Sequence, residues 1–276
     1  MDRDDLHQDD PLDDGDCGTR MEGETGAQGA RDRSQADMDR IADRLKRIRD
    51  NIDSACARAG RRPDKVTLVV VTKTASMDHI KQALRCGCGD LGENRVQHLK
   101  QIAADVDQFL AENRDCDSIP PKVVWHMIGH LQRNKVRHVL KITSIIHSVD
   151  TLRLAEEINS AAAKMDVCPE ILLQVNTSGE PQKYGVPVGA AIHLAEQIVT
   201  MPSLRLAGLM TMAPLTMNKD IVRACFARTR ELFEEIKGER IATNKFRHLS
   251  MGMSQDYEIA VEEGATLLRI GSAIFS

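Results

Sequence analysis

The chain has 276 residues, a formal net charge of −4 and only 3% aromatic residues. That length suits one large domain or two small ones, and so weak a charge with so few aromatics excludes the basic, base-stacking surface of a nucleic-acid binder. No apolar run approaches the ~20 residues of a membrane span, and the opening MDRDDLHQDDPLDDGD is acidic where a secretory signal is basic, so a cytoplasmic protein is expected.

Residues 1–36 hold eleven acidic and four basic side chains. Rich in Asp and Gly and free of aromatics, this stretch is expected to be a disordered acidic tail, leaving 37–276 as the folded unit. From Asp37 the pattern changes. Ile41, Leu45, Ile48 and Ile52 recur at three- and four-residue spacing, and Gly60 follows, which predicts a long helix. Apolar runs then begin near Val66, Leu91, Val123, Ser144, Ile171, Leu204, Phe246 and Leu267. Helical patterns separate them over 77–86, 95–113, 131–140, 151–165, 188–200, 218–238 and 254–263. Strands alternating with helices predict an α/β fold with a parallel sheet, and eight repeats fit a single closed (β/α)8 barrel of the TIM type. An open doubly wound sheet is the alternative. No helix is predicted after the last run, LLRIGSAIF, so the helix before the first strand is expected to fill that place in the outer ring.

Polar residues follow the apolar runs: Lys73, Glu93 with Asn94, His126, His147 with Ser148, Asn176, Thr211, Ser250 and Arg269. In a barrel these positions converge on the C-terminal mouth. The seven cysteines are odd in number and scattered, which reads as reduced thiols. His126 and His130 have the i, i+4 spacing of a metal pair, but Gly129 and a strand end lie between them and no third ligand is in view, so no metal is expected.

Lys73 ends the run LVVVTK, with Ser76 placed as the N-cap of the next helix. Two readings of it stand side by side. A lysine there is ordinarily a solvated loop residue; alternatively its amine is partly desolvated at the mouth and free to form a Schiff base. Near the other end, LSMGMSQDYEIA has Gly252, where the backbone can approach a ligand, and Ser254, which is expected to open a helix. RIGSAI offers a second Gly-Ser turn at Gly271 and Ser272. Barrels of this type often build a phosphate site from the loops after strands seven and eight, so these two turns predict one.

In order along the chain, VTKT, LGENRVQ, WHMIGHLQRNK, HSVD, QVNTSGEPQKYG, GLMTM and LSMGMSQDYEIAVEEGATLLRIGSAIF resemble the motifs of the YggS/PROSC family of pyridoxal phosphate (PLP) homeostasis proteins, from about residue 37 to 275. The resemblance implies a barrel similar to the N-terminal domain of alanine racemase. It implies PLP as cofactor, held as an internal aldimine on Lys73, with Arg269 facing the pyridine nitrogen. By the same resemblance Ser254, Gly271 and Ser272 hold the phosphate, with Ser250 and Asn94 close by. GENRVQ departs from the pattern in having Arg95 where many members carry Tyr.

A permanent cation at the ring nitrogen makes a poor electron sink. A racemase also needs a second acid or base, a tyrosine from an added β-domain in the racemases this chain resembles. The two tyrosines are Tyr184 and Tyr257, and of these Tyr184, in the loop after the fifth strand, is the one able to approach the mouth. The expected function is therefore a monomeric protein that buffers, stores or delivers PLP with little or no catalysis, apo PLP-dependent enzymes being its recipients. An amino-acid racemase or weak PLP lyase is the alternative. A third is a class I aldolase-like barrel using Lys73 on a sugar phosphate.

Overall fold

The computed structural model describes residues 24–276, with side chains from Met38 onward. The chain divides into two units, Met1–Asp37 and Met38–Ser276, and the fold below is that of the second. Its first strand, β1 (Thr67–Val71), reads TLVVV, four β-branched residues in five, the composition that suits a pleated strand. The other strands are β2 (Asp90–Glu93), β3 (Val124–Met127), β4 (Ile145–Val149), β5 (Glu170–Asn176), β7 (Arg205–Met210), β8 (His248–Ser250) and β9 (Leu267–Ile270), with a two-residue β6 (Val186–Pro187) against the end of β5. All pairings are parallel, and β9 pairs with β1 while β4 pairs with β5, so eight strands close into a barrel.

Alternation along these strands sorts their side chains. Val69, Ile145, Leu172, Ala207, Met210 and Leu267 form a core of their own inside the barrel. Their neighbours Val70, Ile146, Leu173, Leu206 and Leu268 belong to the larger core between strands and helices. Buried on both faces, the strands read as continuous apolar runs, as parallel strands do. Each of the eight predicted runs matches a barrel strand.

The helices are α1 (Glu24–Arg58), α2 (Met77–Arg85), α3 (Val96–Glu112), α4 (Val136–Val139), α5 (Leu152–Met165), α6 (Val188–Val199), α7 (Lys219–Gly238), α8 (Tyr257–Glu262) and α9 (Ser272–Phe275). Three differ from expectation. The stretch 131–140 is a 3-10 turn, Arg133–Lys135, followed by the single turn of α4. The last strand does have a helix after it, the one-turn α9. Finally, α1 starts at Glu24 rather than Asp37, so residues 24–36, expected in the disordered tail, are helical. Ala27, Gln28, Ala30 and Arg31 are strong helix formers, which offsets the lack of apolar residues there. The remainder of the expected tail, residues 1–23, lies outside the described residues.

Ile41, Leu45, Ile48 and Ile52 are all buried, as their spacing predicts. The Arg44 guanidinium donates to the Ile274 carbonyl at 3.1 Å. Arg58 pairs with Glu262 at 2.7 Å and Glu258 at 3.1 Å, and on the other flank Arg49 donates to the Cys86 carbonyl at 2.8 Å. Thus α1 sits in the outer ring between α8 and α9 on one side and α2 on the other. Leu45→Ala should lower the unfolding free energy by about 2–5 kcal/mol, the range for emptying a fully buried leucine site. Urea titration would show the midpoint falling at unchanged slope; an unmoved midpoint would mean α1 does not cover the barrel.

Candidate functional site

The C-terminal ends of the barrel strands all open on one face. Two residues past β1, Lys73 stands on a turn whose base is clamped. Thr72 is buried, its N–H donates to the Gly92 carbonyl at 3.0 Å, and its hydroxyl donates to the Glu93 carboxylate. Glu93 is fully buried and also meets His98 Nδ1 at 3.0 Å. Ser76 caps α2 as predicted, accepting from the His79 N–H at 3.3 Å. The Lys73 side chain itself is exposed, where partial desolvation was one of its two readings, because the turn carries it beyond the strand end into the open mouth. A flexible amine on a rigid base is thereby presented to solutes.

The two predicted Gly-Ser turns meet. Ala273 N–H, in the turn after β9, donates to Ser254 Oγ, in the turn after β8, at 3.1 Å. Gly252 has φ +94, and a Cβ there would lie 2.5 Å from Ala260 Cβ, so only glycine fits. A Cβ on Gly271 would lie 2.9 Å from the Val71 carbonyl oxygen. That contact sets the second turn directly against the end of β1, the strand that carries Lys73. Ser254 is not a helix N-cap, however. α8 begins three residues later, and Asp256 before it accepts from the Met253 N–H at 2.6 Å. Its carboxylate closes the turn and leaves the Ser254 hydroxyl to join the two loops.

Arg269 lies inside the barrel at 4% exposure. It donates to Ser250 Oγ at 2.5 Å and to the Thr211 carbonyl at 2.9 Å. Burial pulls its pKa down to about 10, with Asp256 opposing the shift, so it stays cationic at neutral pH. Ser250, expected close to the phosphate turns, faces the lumen, its hydroxyl shared between Arg269 and His147 Nδ1 at 2.9 Å. His147 in turn reaches His126 Nδ1 through Nε2 at 2.9 Å, and His126 Nε2 reaches Asp90 Oδ1 at 3.0 Å. His126 is thus a lumen residue, and among the described residues no cluster of potential metal ligands is found. Asp90 and the joining of the two histidines were not anticipated. The signal was present in VVWHM and IIHSV, where a histidine interrupts a buried strand.

Asn94, past β2, is half-buried, and a Cβ on Gly129 would lie 2.3 Å from its carbonyl oxygen, so the loop after β3 packs hard against it. Arg95, the departure noted above, is exposed at the start of α3. The tyrosines separate as expected. Tyr257 faces outward, its hydroxyl accepting from Asn51 of α1 at 2.8 Å. Tyr184 is on the mouth side, 57% exposed and stacked on His130 at 4.4 Å between ring centroids.

Residues 44–276 match the alanine racemase N-terminal domain family. The pyridoxal phosphate homeostasis protein of Aquifex aeolicus is 38% identical over 84% of this chain and 96% of its own length. This chain belongs to the pyridoxal phosphate homeostasis protein family. Among solved structures, an unknown protein from Bifidobacterium adolescentis is 35% identical, with a TM-score of 0.82 over 87% of this chain and 96% of its own. PipY of Synechococcus elongatus, in the structure with PLP bound, is 31% identical, with a TM-score of 0.70 over 86% of this chain and all of its own. The residues matched to the family, 44–276, lie within the second unit, Met38–Ser276.

Proposed function

We propose that this chain binds PLP for PLP homeostasis, buffering, storing or delivering the cofactor with little or no catalysis. The observation that carries the reading is the joining of the Ser254 and Ala273 turns against the end of β1, beside Lys73 and above buried Arg269. An amine, a glycine-serine cradle too tight for a Cβ, and a buried guanidinium suit the aldehyde, phosphate and ring nitrogen of PLP. Bound PLP supplies an aldehyde that amines capture reversibly and a ring that withdraws electrons.

Each residue then has a task. Lys73 holds the aldehyde carbon. Backbone N–H groups and hydroxyls around Ser254, Gly271 and Ser272 hold the phosphate. Arg269 faces the ring nitrogen, and Asn94 lines the wall beside Lys73. Ser250 acts one step back, holding Arg269. Because the whole site lies on the barrel, a monomer suffices, and residues 37–276 are the PLP-binding unit. No described helix is long and apolar enough to cross a membrane, and a cytoplasmic protein serving apo PLP-dependent enzymes is consistent with an open mouth and an exposed anchor lysine.

Catalysis on amino acids is disfavoured by two features. Arg269, cationic in the lumen, discourages a proton on the ring nitrogen and so weakens the electron sink. Tyr257 faces α1, and Tyr184 is engaged with His130 at the rim. Proton–deuterium exchange at Cα of alanine and serine should therefore run well below the ~1–10³ per second of ordinary enzymes, since loss of a placed acid or base alone costs ~10²–10⁴-fold. Chiral analysis in heavy water makes the measurement. Exchange with inversion near one per second, abolished by Lys73→Ala, would instead establish a racemase, with Tyr184→Phe the next variant to test.

A further inference from the structure

Five side chains form an unbroken hydrogen-bonded chain across the barrel lumen: Asp90 of β2, His126 of β3, His147 of β4, Ser250 of β8 and Arg269 of β9. The successive separations are 3.0, 2.9, 2.9 and 2.5 Å. Both imidazoles and the hydroxyl are fully buried. Asp90 is the member that water reaches, with 32% of its side chain exposed. It opens on a crevice of about 330 Å³ beside Arg49, Asp53 and Cys88, at the strand beginnings and therefore on the barrel face opposite Lys73.

The two ends dictate every proton between them. A guanidinium only donates and a carboxylate only accepts. Ser250 Oγ accepts from Arg269, so its own proton goes to His147 Nδ1. His147 then donates from Nε2 to His126 Nδ1, and His126 donates from Nε2 to Asp90. Any other arrangement sets two N–H groups head to head, or leaves a buried donor without an acceptor among these side chains, and either is costly for groups this deeply buried. The neutral state this requires agrees with the surroundings of His147. Burial, then His126, Arg269 and His248, push that imidazole well below its ordinary pKa.

We propose that Asp90, His126 and His147 are positioning residues: they lock both histidines in one neutral tautomer and link the buried Arg269 cation to the Asp90 carboxylate, so that the guanidinium is held in place for the ring nitrogen of PLP. The last clause rests on the PLP reading above; the proton arrangement does not. Asp256 is the other carboxylate that acts on Arg269, and it does so through space, from the turn after β8. The chain is what ties the guanidinium to the opposite wall of the barrel. In this arrangement the face away from the mouth takes part in the site.

Two measurements test this on the full-length protein. Nitrogen-15 NMR of histidine-labelled protein at neutral pH, assigned by single replacements, should find His126 and His147 both neutral with the proton on Nε2. A proton on Nδ1 of either, or an imidazolium at either, overturns the relay. The second measurement is PLP titration of His147→Gln and His147→Phe. A glutamine amide accepts with its oxygen and donates with its nitrogen, as the imidazole does, whereas phenylalanine keeps the bulk and does neither. His147→Gln should bind within about threefold of wild type with the visible band unmoved. His147→Phe should bind roughly tenfold or more weakly with a shifted band, the cost expected of hydrogen bonds to a charged group. Equal binding and equal spectra of His147→Phe and wild type overturn the positioning role. If His147→Phe does not fold, Asp90→Leu at the solvent end serves: it removes the acceptor of the His126 Nε2–H, so the His126 nitrogen-15 and imidazole proton signals should move while the Nε2 tautomer is kept, and unmoved signals or a switched tautomer overturn the proposal. Were PLP not the ligand, no variant would show a cofactor band, yet the NMR result would still decide the relay.

Discussion

Lys73→Ala is expected to leave a folded protein that borohydride can no longer link covalently to PLP. The exposed side chain makes little contact with the fold, so circular dichroism and melting temperature should be unchanged. The visible band of the bound cofactor should vanish, and intact mass after borohydride treatment should show no adduct. Residual PLP, retained by the turns at Ser254 and Gly271, should leave on dialysis. The comparison has a built-in competitor. Lys183, in the loop after β5, also reaches the mouth, where its amine donates to the Ala213 carbonyl at 3.0 Å. A Lys73→Ala protein that keeps a reducible link would move the anchor to that lysine and refute the assignment.

Gly271→Asp should expel PLP while the barrel persists. Its Cβ would press to 2.9 Å from the Val71 carbonyl oxygen, and its carboxylate would sit in the turn proposed to hold the phosphate. Two like charges ~4 Å apart near a protein surface repel by up to ~4 kcal/mol, so affinity should fall by roughly 10²–10³-fold. Gly271→Ala separates shape from charge. It carries the same crowding without the anion and should bind at an intermediate level. A folded Gly271→Asp protein that binds PLP as tightly as wild type would place the phosphate elsewhere; circular dichroism supplies the check on folding.

The barrel was legible because its strands are buried on both faces. Runs such as LVVV and ILLQV have no polar face to confuse with a helix, and each matched a strand. The positions of Lys73 and of the two turns were legible for a related reason: a polar residue after such a run must lie at the mouth. What could not be read was partnership across space. Ser254 looked like a helix N-cap because it precedes a helical stretch, but Asp256 takes the nearby N–H and Ser254 bonds to Ala273, nineteen residues away. The resemblance set Ser250 close to the phosphate residues, but nothing in the sequence said that strand alternation turns it inward, toward His147, 103 residues away. Only closure of the barrel brings β4 and β8 to face each other. The 131–140 stretch was misjudged for a local reason. Its apolar spacing is helical, but Arg133–Lys135 closes as a tighter turn and leaves α4 a single turn.

The packing of α1 against α8 and α9 has a consequence for biosynthesis. Arg58 finds Glu258 and Glu262 about 200 residues further along the chain, and β1 pairs with β9, made last of all the strands. At about 5–20 residues per second on the ribosome, the Ile41–Leu45–Ile48–Ile52 stripe spends on the order of 10–40 s without its final neighbours. For that interval the nascent chain carries an oily helix and an unpaired β1 edge, so trigger-type holdases should engage it early and release it only as the final strand emerges. Stalling translation before Leu267 should yield an aggregating, protease-sensitive chain rather than a shorter barrel.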